Sequence, residues 1–473
     1  MLEPQISEFL FDRCRVDPGQ RVLIGFSGGA DSLCLLHLLK SQPVEVIAAH
    51  FDHNLRSESA EDAARCRAIA EDWEVAFVQE VGKVREFASE RKLSIEEAAR
   101  ILRYRFLFEM ARAYRADAVA VAHHADDQVE TVLMHLLRGA GSSGLAGMRY
   151  RARDPLGESA IPLIRPLLAV WRSEIKEYCQ FHHLTPLEDV TNADPAYFRN
   201  RIRSELIPQL ETYNAEFKRH LWQTASILAE EDSQLDAEVD VLVGQIQLRS
   251  GDGWMLVDTT EFQDKALWFL RRLVRKIIFK LKSTLRDVSF AEVERAAQYM
   301  LHPDFNKTCQ ATDEIEVLKY DGRSVLVTAR VGPLFDLWPQ VITADMGDLA
   351  PGSRELQGGW KLTLQRLESS RYDTATPDPW VCLLDEDKVV QPLQLATRAP
   401  GDVFMPFGMH GKSIKIGDFF TNEHLPTRAR DAWPLVRSQS KIVWVPGYRP
   451  AEFCKVTQET RRVLRMELTQ KNK

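Results

Sequence analysis

The sequence predicts an α/β protein: a doubly wound parallel sheet, then a mainly helical domain, then a small α+β C-terminal domain. Three observations carry this. Strand-like and helix-like runs alternate through residues 1–215, the pattern of βαβ units. The first, second and fourth strand-like runs each lead at their carboxyl end into polar sequence, where ligands bind in such sheets. From about residue 216 the alternation gives way to longer helical periodicity, and from about 380 to short strand-like runs separated by turns.

The first strand, Arg21–Phe26, runs straight into Ser27-Gly28-Gly29-Ala30-Asp31-Ser32 and a helix over Asp31–Lys40. Glycines let backbone N–H groups approach an anion closely, and a helix N-terminus adds about half a positive charge. The plain alternative is a strand-to-helix turn hinged on Ser-Gly-Gly, but the ordered set S-G-G-x-D-S after a strand is far more specific. G-x-x-x-x-G-K-[ST] is absent, so this is not the common P-loop. With no lysine in the loop, neutralisation of a phosphate falls to backbone N–H groups, the helix end and Mg2+, for which Asp31 is the loop's only carboxylate.

The second strand, Val44–Phe51, leads into His50-Phe51-Asp52-His53-Asn54-Leu55-Arg56, a polar pocket wall. A helix over Glu58–Asp72 and a strand over Val75–Val81 follow. Ser94-Ile95-Glu96-Glu97 is a capping box opening a helix to Tyr114, which carries Glu96-Glu97-Ala98-Ala99-Arg100-Ile101-Leu102-Arg103-Tyr104. Its acid–base spacings on their own suit ordinary helix salt bridges. The fourth strand, Ala118–Ala122, runs into His123-His124-Ala125-Asp126-Asp127-Gln128-Val129-Glu130-Thr131. On a helix over Asp126–Arg138 these three carboxylates gather around the first turns. Helix-start stabilisation explains one or two acidic residues there. Three beside paired histidines point to acid/base work or to binding an amine. His and carboxylate ligands could in principle hold zinc, but the H-E-x-x-H pattern is absent. Gly139–Gly144 reads as a mobile loop over the site, and Arg199-Asn200-Arg201-Ile202-Arg203 places arginines at alternate positions, suited to phosphates.

The expected divisions are a catalytic domain over 1–215, a helical domain over 216–335, a turn-rich connection over 336–379 and a C-terminal domain over 380–473. Within the second, Lys265 to Arg286 has eight basic residues and no acidic one. At about 100° per residue, Leu267, Leu270, Leu273, Val274, Ile277 and Leu281 share one face, leaving Arg271, Arg272, Arg275 and Lys276 on the remaining arc among Trp268, Phe269 and Phe279. A solvated face is the plain reading; interleaved aromatics and one unbroken sign favour nucleic acid.

Net charge is −7, so a polyanionic partner must be met by local basic surfaces. No apolar run approaches the roughly 18–20 residues of a membrane span, and Met1–Gln5 has no signal-peptide character. The seven cysteines are scattered, with no C-x-x-C, and read as reduced thiols of a cytoplasmic protein.

Together S-G-G-x-D-S, H-F-D-H-N-L-R, E-E-A-A-R-x-x-R-Y, H-H-A-D-D-Q-x-E-T, L-L-R-G and R-N-R-I-R resemble the tRNA(Ile)-lysidine synthase family of N-type ATP pyrophosphatases. The resemblance is dense over about 20–205 and looser through to Arg398-Ala399-Pro400-Gly401-Asp402. It implies an adenine nucleotide α-hydrolase-like sheet and a ligase that adenylates the wobble cytidine of an isoleucine tRNA with a CAU anticodon, then joins free lysine to it. ATP and Mg2+ would be used, with Ser27, Gly28, Gly29, Ala30, Asp31, Ser32, His50 and His53 at the nucleotide and Asp31 on the metal. Asp127, Glu130, Asp126, His124 and Arg103 are the catalytic candidates. Arg199, Arg201, Arg203, Arg271, Arg272, Arg275 and Lys276 are the tRNA-binding ones. A homodimer is compatible with the sequence, which leaves oligomeric state open. The competing readings are a tRNA thiolase on the same core, an amidotransferase-type ligase and a nucleotide sensor. A thiolase generally needs cysteines often paired as C-x-x-C, an amidotransferase needs a glutaminase domain or ammonia source, and a sensor needs no acidic cluster.

Overall fold

A computed structural model describes residues 2–55, 58–187, 198–262, 264–282, 288–368 and 378–471; Arg56 of the H-F-D-H-N-L-R stretch and the end of the basic segment at Arg286 lie outside them. The chain forms two compact units, Met1–Glu238 and Val239–Lys473.

In the first unit the expected sheet forms from β1 (Arg21–Gly25), β2 (Glu45–Asp52), β3 (Ala76–Val81), β4 (Ala118–Ala120), β5 (Arg151–Ala152) and β6 (Leu163–Ile164). Their order is β3-β2-β1-β4-β6-β5, parallel except for β5 against β6. Side chains alternate across the sheet: Val22 and Ile24 enter one apolar layer, and Leu23 between them enters the other. The first layer also takes α1 (Glu3–Glu8), α2 (Ala30–Lys40) and part of α3 (Ser59–Asp72). The second takes α4 (Val84–Arg91), a helix the sequence reading missed, and α5 (Ile95–Ala113), capped as expected by Ser94 Oγ accepting from the Glu97 N–H at 3.2 Å. The chain winds outward from β1 to β3, then returns to place β4 on the other side of β1. That reversal opens a crevice beyond the carboxyl ends of β1 and β4.

Beyond β4 come α6 (Ala125–Leu137), α7 (Ser142–Leu145), α8 (Arg172–Phe181), α9 (Phe198–Arg201), a π-helical turn over Ile202–Leu206, α10 (Ile207–Tyr213) and α11 (Phe217–Ile246). The glycine-rich stretch after α6, expected as a mobile loop, ends in the short helix α7 and is bonded there to its surroundings. Gly144 O meets His135 Nδ1 at 2.7 Å, and Ser143 Oγ donates to Asp232 Oδ1 at 2.6 Å. The buried Gln128 amide, on α6, spans the carbonyls of Ala146 and Met148 just after it.

The second unit holds the expected basic helix α12 (Leu267–Lys282) and a further helix α13 (Phe290–Leu301), which pack on a sheet the periodicity did not reveal. That sheet is β7 (Gln247–Gly251), β8 (Trp254–Asp258), β9 (Thr308–Gln310), β10 (Glu316–Lys319) and β11 (Ser324–Thr328), ordered β7-β8-β11-β10-β9. Its strands have at most five residues, too short for an alternating signal to separate from a buried helical run. The 336–379 stretch is not a connection in its described part. It supplies β12 (Gly347–Leu349), β13 (Gly352–Glu355) and β14 (Trp360–Glu368). In β14 the alternate residues Trp360, Leu362 and Leu364 are buried in the same core as the later strands, so this segment belongs to the C-terminal fold. Those are β15 (Val381–Asp385), β16 (Leu393–Ala396), β17 (Val403–Phe404), β18 (Ile414–Lys415), β19 (Leu435–Ser438), β20 (Lys441–Trp444) and β21 (Arg462–Gln470). They build two four-stranded sheets, β12-β16-β19-β20 and β13-β14-β21-β15, and the pair β17-β18.

Candidate active site

The loop from β1 to α2 is held by its own hydroxyls. Ser27 N–H donates to Ser32 Oγ at 3.2 Å, Ser32 Oγ donates to Gly29 O at 3.1 Å, and the two serine hydroxyls lie 3.1 Å apart. Gly29 is extended and precedes α2, whose first residue is Ala30, so the helix's early N–H groups face the loop. Gly28 has φ +77°, and a Cβ there would stand 2.5 Å from Leu187 Cδ1 and 2.8 Å from Cys66 Sγ. Both facts require glycine. The Gly28→Ala variant should therefore lose nucleotide affinity: the left-handed backbone alone costs roughly 1–2 kcal/mol, and the clashes add to it. Nucleotide titration followed by fluorescence checks this, and unchanged affinity would remove the loop from the binding site.

His50, on β2, is buried with Nδ1 2.9 Å from Phe26 O, which ties β2 to the start of the loop. His53 lies edge-on to Phe51. Asp52 acts locally, accepting from Asn54 N–H at 2.7 Å and Ser59 Oγ at 3.2 Å.

Across the crevice, His124 caps α6. Its Nδ1 accepts from Asp127 N–H at 3.4 Å while Asp127 Oδ2 accepts from His124 N–H at 3.1 Å. With Nδ1 accepting, the ring proton belongs on Nε2, which sits 3.8 Å from Asp31 Oδ2 and 3.5 Å from Asp127 Oδ2. His124 thus joins the loop after β1 to the acidic helix start after β4. Asp31 Oδ1 is buried without a partner, and burial pushes its carboxyl up, with Asp127 adding to the push against the pull of His124. A partly exposed carboxylate with one buried, partnerless oxygen fits a divalent cation. No cluster of three or more metal-ligating side chains exists among the described residues, so most of that cation's ligands would come from phosphate and water.

Asp126, the third carboxylate of the cluster, has both oxygens engaged in the free chain. Its Oδ2 accepts from Arg172 N–H at 2.9 Å, at the start of α8, and its Oδ1 from Lys218 Nζ at 3.1 Å. Burial would raise this carboxyl, but these two partners outweigh it and hold it below its usual range. Glu130 is only 1% exposed and sits beneath two arginines: Arg199 Nε lies 2.6 Å from Oε2 and Arg203 Nε 2.5 Å from Oε1. Arg199 Nη2 also reaches Asp127 Oδ1 at 2.8 Å. Without RNA, Arg199 and Arg203, expected at tRNA phosphates, turn inward to these carboxylates. A buried carboxylate demands a partner, and the local sequence pattern does not show which carboxylates these arginines meet in the free chain. Arg201, between them, is exposed and pairs with Glu205 at 3.4 Å.

Residues 2–210 match the PP-loop domain family, and residues 393–468 match the TilS substrate C-terminal domain. The chain is 33% identical over 474 residues to a tRNA(Ile)-lysidine synthase of Dehalococcoides mccartyi, covering 99% of each chain. The chain belongs to the tRNA(Ile)-lysidine synthase family. A second member, from Geobacter sulfurreducens, is 32% identical over 94% of this chain and 92% of its own. A crystal structure of a TILS C-terminal domain aligns with 25% identity over 27% of this chain and 98% of that one, with a TM-score of 0.25.

Within this lysidine synthase family member, the tyrosine of the E-E-A-A-R-x-x-R-Y stretch is flanked by cations: Arg100 Cζ lies 5.0 Å and Arg103 Cζ 5.5 Å from the Tyr104 ring centroid. Arg103 Nε is buried without a partner, and burial lowers this guanidinium below its ordinary value. His123 Nδ1 accepts from Arg165 Nε at 3.2 Å; burial, reinforced by Arg165 and Arg103, holds His123 well below its usual value and so neutral at pH 7. Arg165 was missed in the sequence. It lies some forty residues from His123, and no local pattern announces the pair.

The basic segment folds as α12, but its outer arc is engaged. Arg271 pairs with Glu294 at 2.5 Å, Lys276 with Asp240 at 2.7 Å and Lys282 with Glu314 at 2.8 Å, and Arg272 and Arg275 also have partners. Phe269, expected on the basic arc, is buried in the core with Ile278. All seven cysteines are buried and unpaired, and no described helix is long and apolar enough to cross a membrane.

Proposed function

We propose that this enzyme acts on tRNA, using ATP to ligate lysine to C2 of the wobble cytidine of an isoleucine tRNA with a CAU anticodon. The products are lysidine, AMP and pyrophosphate. One observation carries the reading: His124 Nε2 stands within 4 Å of both Asp31 and Asp127, so the phosphate loop and the acidic helix start face one crevice. The chemistry needs both sides there.

In the first step the C2 carbonyl oxygen attacks the α-phosphorus and pyrophosphate leaves, with the Ser27–Ser32 loop and the α2 N-terminus holding the departing charge. When bound, Mg2+ would offset that charge, and Asp31 is the residue that would hold it. In the second step the lysine ε-amine attacks C2 and AMP leaves. Deprotonating that amine from its reference value of about 10.4 costs on the order of 4–5 kcal/mol at pH 7. Asp127 and Glu130 are the groups to hold the ammonium and take its proton. His124 positions Asp127 and Asp31, and Arg103 is the cation available to an anionic part of a substrate. Arg201 and the residues of α12 are the candidates for tRNA phosphates, the latter by exchanging their present carboxylate partners. The enzyme would work in the cytoplasm, where tRNA is found.

The test supplies ATP, Mg2+, labelled lysine and tRNA(Ile) with a CAU anticodon. Label entering the tRNA with one AMP released per lysine supports the reading; no label, or label without AMP, refutes it.

A further inference from the structure

The carboxylates assigned to the lysine amine are already occupied. Glu130 is 1% exposed, whereas the side chains of Arg199 and Arg203 above it are 32% and 31% exposed. The arginines therefore form the outer layer and the carboxylates the inner one. Both Glu130 oxygens carry a guanidinium N–H, and Asp127 Oδ1 carries a third contact from Arg199. Asp126 offers no alternative, since Arg172 N–H and Lys218 hold its two oxygens. A lysine ammonium has the same charge and the same appetite for paired carboxylate oxygens as these side chains. It can bind only where an arginine yields.

The two arginines share one short segment, α9 and the π-helical turn after it, with Arg201 between them facing solvent. Their guanidinium groups are also the type that phosphate oxygens bind bidentately. A polyanion drawn to Arg201 brings phosphates to the segment that carries all three. Phosphate can then replace carboxylate as the arginines' partner, and the ammonium can replace the arginines as the carboxylates' partner. Every charge stays paired throughout the exchange.

We propose that Arg199 and Arg203 are built-in stand-ins for the lysine ammonium, closing the Asp127–Glu130 pair until bound tRNA draws them away. This rests on the reading that the pair receives lysine. The device orders the reaction: the amine site opens only when the RNA to be modified is present, so activated nucleotide is not exposed to free lysine.

Equilibrium dialysis of labelled lysine against the full chain, with a non-hydrolysable ATP analogue, tests it. Wild-type protein should bind lysine at least about tenfold more tightly with tRNA than without, the scale of displacing a charge-assisted contact. The Arg199→Ala/Arg203→Ala protein should bind lysine without tRNA about as tightly as wild type does with it. Arg203→Ala alone, which leaves Arg199 to neutralise Glu130, should lie between them and serves if the double variant does not fold. Tight binding to wild type regardless of tRNA, lost in Glu130→Gln, would overturn the stand-in role while leaving the lysine site intact. A tRNA dependence that neither variant relieves would overturn it too. No lysine binding to any form, even with tRNA, would overturn the amine site itself and this inference with it.

Discussion

The Asp31→Asn enzyme is expected to lose transfer of AMP to tRNA by about 10²–10³-fold, the range for removing one well-placed electrostatic group, while the free protein becomes no less stable. The second half follows from the environment of this carboxylate. Its Oδ1 is buried without a partner, and its carboxyl is held above the usual range by burial first and by Asp127 second. A carboxyl raised in the folded state favours folding at low pH, and that advantage disappears as pH rises through the folded value. At neutral pH its charge is therefore a cost to the free protein that a bound cation relieves, and asparagine removes the charge. AMP transfer is read with α-labelled ATP in the absence of lysine, and stability by urea unfolding. Activity and stability falling together would make Asp31 a structural residue.

The Glu130→Gln enzyme should do the opposite. It should still adenylate tRNA, because the side chain that meets Asp31 of the phosphate loop is His124, but transfer lysine about 10²–10⁴-fold more slowly, the usual contribution of a positioned acid–base group. Adenylated tRNA should then accumulate. The amide keeps one acceptor for Arg199 or Arg203, and both arginines are partly exposed and can turn to water, so the fold should survive. Equal loss of adenylation and lysine transfer would dissolve the division of labour between Asp31 and Glu130.

Much of the first unit was legible because its signals are local. Arg21–Gly25 and Ala30–Lys40 fall within a residue or so of the runs read from the sequence, since an apolar strand, a glycine turn and an apolar helical run each declare themselves within a few positions. The same holds for Ser94 and for the His124–Glu130 cluster. What was not legible depends on partners far along the chain. Asp126 looked like its neighbour Asp127, yet Arg172 and Lys218 engage both its oxygens in the free chain. Nothing local to Arg199 and Arg203 announces the carboxylates, roughly seventy residues away, that hold them in the free chain. In the second unit, β14 carried a readable alternation at Trp360, Leu362 and Leu364, hidden beside the turn signals that precede it. The short strands around α12 carried none.

The most direct measurement is the mass of the wobble nucleoside, released by complete nuclease digestion of tRNA(Ile) after incubation with the enzyme, ATP, Mg2+ and lysine. The expected result is one cytidine per tRNA that has gained one lysine and lost one water, absent when the wobble cytidine is replaced by uridine. An unmodified cytidine, or one carrying sulfur in place of its C2 oxygen, would contradict it.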